Sequence, residues 1–170
     1  ENHKTWSYAP KGQPPAIKSS GKRLKLNIIS AISPSGLMKH MIYLESMTAK
    51  LFIKFMNNII RNSTKKVFLA VGNLKVHHGK LVQAWLKERS NKIELFFLPP
   101  YSPELNPDEY LNNIIKNKMQ SLPQAHSQDE LNSNVHGILK QLQNDHSKFR
   151  KIFDYDKIKY AKVEAKPKNK

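Results

Sequence analysis

The chain of 170 residues contains no cysteine. That excludes disulfides and thiolate-bound metals, and it fits an intracellular protein. Acids are also scarce: Asp and Glu total 13 against 29 for Lys and Arg, a formal charge of +16 with a pI near 10.0. No aspartate precedes Asp108, and before it the acids are Glu1, Glu45, Glu88, Glu94 and Glu104 alone. Any carboxylate chemistry in that long stretch has only these glutamates to draw on. No apolar run approaches the roughly 20 residues of a membrane-spanning helix, and no signal-peptide pattern opens the chain. The first residue is Glu1 rather than Met, which reads as a piece of a longer product.

What is present suits one domain with a tail. Hydrophobic residues make up 39%, enough for a core. The excess of positive charge favours a polyanionic partner, with nucleic acid first. The plain alternative is a lysine-rich surface that reflects base composition. An anionic membrane surface ranks third, because the cations are spread along the chain and not gathered on one amphipathic helix.

Residues 1–22 are polar and turn-rich, with room for one short strand near Trp6–Ala9. "RLKLNIISAIS" (Arg23 to Ser33) alternates as a strand does, "PSG" is a turn signal, and "LMKHMIYLES" (Leu37 to Ser46) is a second strand, so the pair reads as an antiparallel hairpin. Thr48 is placed to cap a helix whose apolar face is Leu51, Phe52, Phe55, Met56, Ile59 and Ile60. "KKVFLAVG" (Lys65 to Gly72) is a strand buried on both faces. A helix from about Gly79, a strand over Lys92 to Pro100, a helix after Pro107 and another from Ser127 to about Gln143 follow. Strands alternating with helices from Lys65 onward argue for parallel pairing in one mixed sheet with helices packed on it. The last residues, "KVEAKPKNK", carry too little apolar surface to fold. The domain is therefore read as residues 1–160 and a basic disordered tail as 161–170.

"LPPYSPELNPDEYLNNIIK" (Leu98 to Lys116) is the most specific stretch. A buried strand ends in Pro99 and Pro100, a rigid turn follows, Asn106 is a good N-cap, and Pro107 suits the first helical position. Glu109 then has two readings. It can complete a capping box with Asn106, or it can be a metal-binding carboxylate aimed at the strand ends. Asp108 reads as a residue exposed at the first turn, favourable to the helix dipole. The neighbouring His77 and His78 suggest a metal, but adjacent histidines on a loop rarely point at one ion. The role read for His77 is to orient its loop or to contact a phosphate. Trp85 reads as core.

At these residues the chain resembles the DDE transposases of bacterial insertion sequences in the mariner-like superfamily. "FLPPYSPELNPDEYLNNIIK" matches the loop and the helix of that family's third acid. "AVGNLKVHHGK" matches the strand end where the family has Asp-Asn-x-x-x-His. "TWSYAPKGQPP" and "RLKLNIISAISPSG" match the segment after its first acid. The resemblance covers nearly the whole chain.

It implies an α/β, ribonuclease H-like mixed sheet with flanking helices, whose first strand is truncated here. It implies a transposase catalytic domain that cleaves DNA strands and transfers them, using a pair of Mg²⁺ (or Mn²⁺) ions held by three carboxylates. Glu109 takes the place of the third acid and is the metal ligand. Gly72 stands where the second aspartate belongs, with Asn73 and His77 as its motif neighbours. The first aspartate would lie on a strand before "TWSYAPKGQ", where this sequence has none. One carboxylate cannot hold two Mg²⁺ ions, so the copy reads as degenerate and the ions as not bound productively. Lys75, Lys80, Lys116 and Lys118 are the candidate DNA contacts. DNA is the implied partner, with no membrane involvement, a possible homodimer, and a cytoplasmic, nucleoid-associated location. The competing function is a non-catalytic DNA-binding remnant.

Overall fold

The computed structural model describes residues 24–162. The candidate strand at Trp6–Ala9 and the end of the basic tail lie outside the described residues. Strands β1 (Asn27–Ile32) and β2 (Met38–Tyr43) form the antiparallel hairpin, in a register that sets Ile29 opposite Met41. Both are shorter than the alternating sequence suggests. The turn between them needs its glycine. Gly36 has φ 92°, and a Cβ there would sit 2.7 Å from the carbonyl oxygen of His146. His146 Nδ1 donates to the Gly36 carbonyl at 2.8 Å, which ties the turn to the C-terminal helices.

Helix α1 (Ala49–Ile60) begins where Thr48 Oγ1 accepts from the Leu51 amide at 3.2 Å, and it buries Phe52, Phe55 and Met56. Strand β3 (Val67–Val71), helix α2 (Lys80–Glu88) and strand β4 (Ile93–Phe97) make a parallel β-α-β unit in which Val71 pairs with Phe97. Helices α3 (Pro107–Gln120) and α4 (Gln128–Gln143) follow, and then a short α5 (His146–Ile152) that the periodicity did not separate from its surroundings.

The core is in two parts. One packs α3, α4 and α5 around Leu111, Leu139, Phe149, Phe153 and Ile158 and takes in Met38 of the hairpin. The other packs α1 and α2 on the β3–β4 unit through Phe52, Met56, Val82, Trp85 and Ile93. Among the described residues the strands pair in two separate ladders, β1–β2 and β3–β4, and not in the one continuous sheet expected. The physical reason is a gap: β1 and β3 border a common cavity and have no hydrogen-bonded ladder between them. No described helix is long and apolar enough to cross a membrane.

Candidate active site

The gap between the ladders is a cleft of about 700 Å³. Its walls are β1, with Ile28 to Ile32, and β3, with Phe68 to Gly72. Its lip is the proline loop and the start of α3, so Gly72, Asn73, His77, Asp108 and Glu109 all line one space. Two loops at the C-terminal ends of the parallel strands bring them there, the usual place for chemistry in such a unit.

The loop after β3 is held by its histidines. Gly72 itself is half-buried. A carbonyl can only accept, so in the 2.7 Å contact of His77 Nδ1 with the Gly72 carbonyl the ring nitrogen donates, which leaves Nε2 as the unprotonated position of the neutral ring. His77 is buried and stacks on Phe52 with centroids 4.3 Å apart. Burial lowers its pKa first; the Gly72 bond works the other way, and neighbouring His78 lowers it further. His78 turns elsewhere: its Nε2 donates to Asn73 Oδ1 at 2.5 Å, and its ring stacks on Phe97 at 4.2 Å. The two rings therefore engage different partners, and the described residues contain no group of three His, Cys, Asp or Glu that could hold a metal ion. A Cβ added at Gly72 would meet nothing within 4 Å. A side chain at this position has open space in front of it.

The loop after β4 is held by its prolines and by a remote tyrosine. Tyr101 is fully exposed with φ 55°, a left-handed backbone rare outside glycine. Tyr160 Oη donates to the Leu105 carbonyl at 2.7 Å. Asn106 caps α3, its Oδ1 accepting from the Asp108 amide at 3.1 Å, and Pro107 occupies the first helical position. The reciprocal half of a capping box does not form. The Asn106 amide donates to the Pro103 carbonyl at 3.0 Å. The Glu109 carboxylate has no hydrogen-bond partner among the described residues, and Glu109 lines the cleft.

Asp108 overturns its sequence reading. It is not an exposed dipole residue. Its carboxylate turns inward and accepts from the buried hydroxyl of Ser30 on β1 at 2.5 Å. Burial pushes its pKa up to about 6; the Ser30 bond opposes that rise and the adjacent Glu109 adds to it. No local signal announces this contact, since its partner lies 78 residues away. The alternation of β1 does place Ser30 on a single face with Ile28 and Ile32, and a lone serine in that row was the available hint.

Of the candidate lysines, Lys75 and Lys80 are exposed on the turn and helix start that follow Gly72. Lys116 and Lys118 lie on α3 about 10–13 Å along the helix axis from Glu109, by its rise per residue. None of the four lines the cleft.

Carboxylates meeting at strand ends would suit hard cations, but the donors here do not make a site for a pair of them. Glu109 faces the cleft, Asp108 is engaged with Ser30, and Gly72 offers no ligand.

The family model described as "DDE superfamily endonuclease" matches residues 1–132. Among solved structures, the Mos1 transposase catalytic domain, in a structure described as containing Raltegravir with Mg, aligns with a TM-score of 0.54. The alignment covers 82% of this chain and 76% of that one at 13% identity, a likeness of fold. No curated protein matches the chain.

Proposed function

The chain belongs to the DDE superfamily endonucleases, and we propose on that premise that its cleft is a transposase-type site for cleaving and transferring DNA strands, degenerate in this copy. One observation carries the reading: Gly72, with open space before its Cα, and Glu109 line the same cleft from two adjacent strand ends. Glu109 is read as the surviving metal ligand and position 72 as the lost one. The first acid that the resemblance implies has no counterpart in this sequence. Strands β1 and β3 both border the cleft, and among the described residues β1 pairs with β2 alone and β3 with β4 alone.

When bound, a magnesium or manganese pair would supply charge neutralisation at the phosphodiester and an activated oxygen nucleophile. The residues of this chain do the positioning. His77 fixes the Gly72 carbonyl, and so the direction in which a side chain at 72 would project. Asn106 and Pro107 fix the first turn of α3, and with it Glu109. With a glycine at 72, the ligand set falls short of what Mg²⁺ needs to give up its waters.

The test is Gly72→Asp in the full chain, with Mn²⁺ binding read by electron paramagnetic resonance. Gly72→Asp should bind Mn²⁺ more tightly than the parent, and adding Glu109→Gln should remove the gain. Equal affinity in parent and variant, or a gain that survives the loss of Glu109, would overturn the assignment.

A second reading, a non-catalytic DNA-binding remnant, is favoured by the +16 charge and by exposed Lys75 and Lys80 beside the cleft. It requires salt-sensitive binding to duplex DNA with no dependence on divalent metal.

A further inference from the structure

A second concave surface, formed by α1 and the turn between α2 and β4, shares no described residue with the cleft. It is a groove of about 710 Å³ running along the outer side of α1, where that helix meets the end of α2 and the start of β4. Lys50, Lys54 and Arg61 contribute from α1 and its C-cap, and Arg89 and Lys92 from the turn that enters β4. No acidic residue among the described ones lines it. Of these five, only Arg89 has a carboxylate of the described residues within ion-pair distance, that of Glu88 at 2.8 Å. Arg89 is also braced over the Trp85 ring at 4.9 Å. Lys50, Lys54, Arg61 and Lys92 are exposed and lack such a partner among the described residues.

Five cations facing one groove repel each other unless something negative lies between them. Their order is informative. Lys50, Lys54 and Arg61 recur at four and seven residues, so they form one stripe about 16 Å long by the helical rise. Arg89 and Lys92 form the opposite bank. A B-form duplex rises about 3.4 Å per base pair along its axis, so the stripe spans about five base pairs of duplex length. Among the described residues no aromatic ring lines the groove to stack a base, which favours backbone contact as its chemistry.

We infer that this groove is a second nucleic-acid contact, gripping the phosphate backbone of duplex DNA away from the cleft without reading its bases. The inference rests on the proposed reading that the chain acts on DNA. It adds a surface that would hold a flanking segment of the same duplex, or a second duplex, while the cleft engages another.

The test uses the full chain, a fluorescent duplex of about 30 base pairs and anisotropy titrations over a range of salt. Lys54→Ala, Arg61→Ala and Lys92→Ala are combined; all three side chains are exposed. Binding should weaken at least tenfold at about 0.1 M salt, and the plot of log affinity against log salt should become less steep by about 2–3. The charge-keeping triple Lys54→Arg, Arg61→Lys, Lys92→Arg should restore both. A Lys75→Ala, Lys80→Ala pair is run alongside. Loss in that pair with none in the groove triple would overturn the groove and leave the cleft standing, and loss in the groove triple alone would support the groove while removing the lysines beside the cleft. Parent protein that binds no duplex, or that prefers a polyglutamate peptide through the same three residues, would also overturn the inference.

Discussion

The two loops that follow the parallel strands differ in what holds them. After β3, the loop is fastened from within: His77 bonds the Gly72 carbonyl and stacks on Phe52, while His78 bonds Asn73 and stacks on Phe97. After β4, the loop is fastened by prolines, by a left-handed Tyr101 and by Tyr160 reaching in from the C-terminal turn. The second loop delivers a carboxylate to the cleft and the first delivers a bare glycine. On the function proposed above, the two loops are the scaffold of a two-sided site in which a ligand stands on only one side. Packing and hydrogen bonds keep each loop in shape whether or not it carries a carboxylate.

That comparison breaks most sharply at His77. Replacing it by alanine removes a buried ring stacked on Phe52 and the partner of the Gly72 carbonyl. His77→Ala should cost about 2–4 kcal/mol, the range for emptying a buried ring site and orphaning a partly buried acceptor. Urea unfolding measures it. A loss below about 0.5 kcal/mol, the size of an ordinary surface change, would mean that the first loop is not held from within.

A smaller effect, with a sign that can be worked out, belongs to Asp108. Its pKa is raised to about 6 in the folded protein from an ordinary 3.8. Between those values the folded state keeps a proton that the unfolded state has released, so stability falls as pH rises from about 4 to 6 and stays lower above. Asp108→Asn keeps an oxygen for the Ser30 hydroxyl and removes the charge. It should stabilise the protein at pH 7.5 by on the order of 1–2 kcal/mol and have much less effect near pH 4. Urea titrations at the two pH values check this. Destabilisation at pH 7.5 would show that the ionised carboxylate helps to join β1 to α3.

The sequence made the local elements legible and hid what depends on distant partners. Thr48, Asn106 with Pro107, and Ser127 mark three helix starts because a cap is a matter of two or three neighbouring residues. The strand ends at Gly72 and Pro99 are equally local. Asp108 was misread because its partner is on β1. The capping box failed because the Pro103 carbonyl, positioned by the preceding tight turn, takes the amide that Glu109 would have bonded. The break in the sheet is a property of edges, which alternation within a strand does not report. The basic groove combines residues from α1 with others some 30 positions later, each of which alone looks like solvated surface.

The smallest effect separates two glycines. Gly36 is required by its backbone, at φ 92° with a carbonyl oxygen 2.7 Å from any Cβ. Gly72 has neither constraint: its φ is outside the left-handed region and its Cβ would meet nothing. If glycine stands at 72 only because a carboxylate was lost, alanine there should be tolerated. Gly72→Ala should be neutral or stabilising by up to about 1 kcal/mol, because it restricts the unfolded chain and asks nothing of the folded one. Thermal unfolding beside the parent decides it. A clear loss of stability would mean that the loop after β3 needs a glycine for its own sake, and position 72 would no longer read as a vacated ligand.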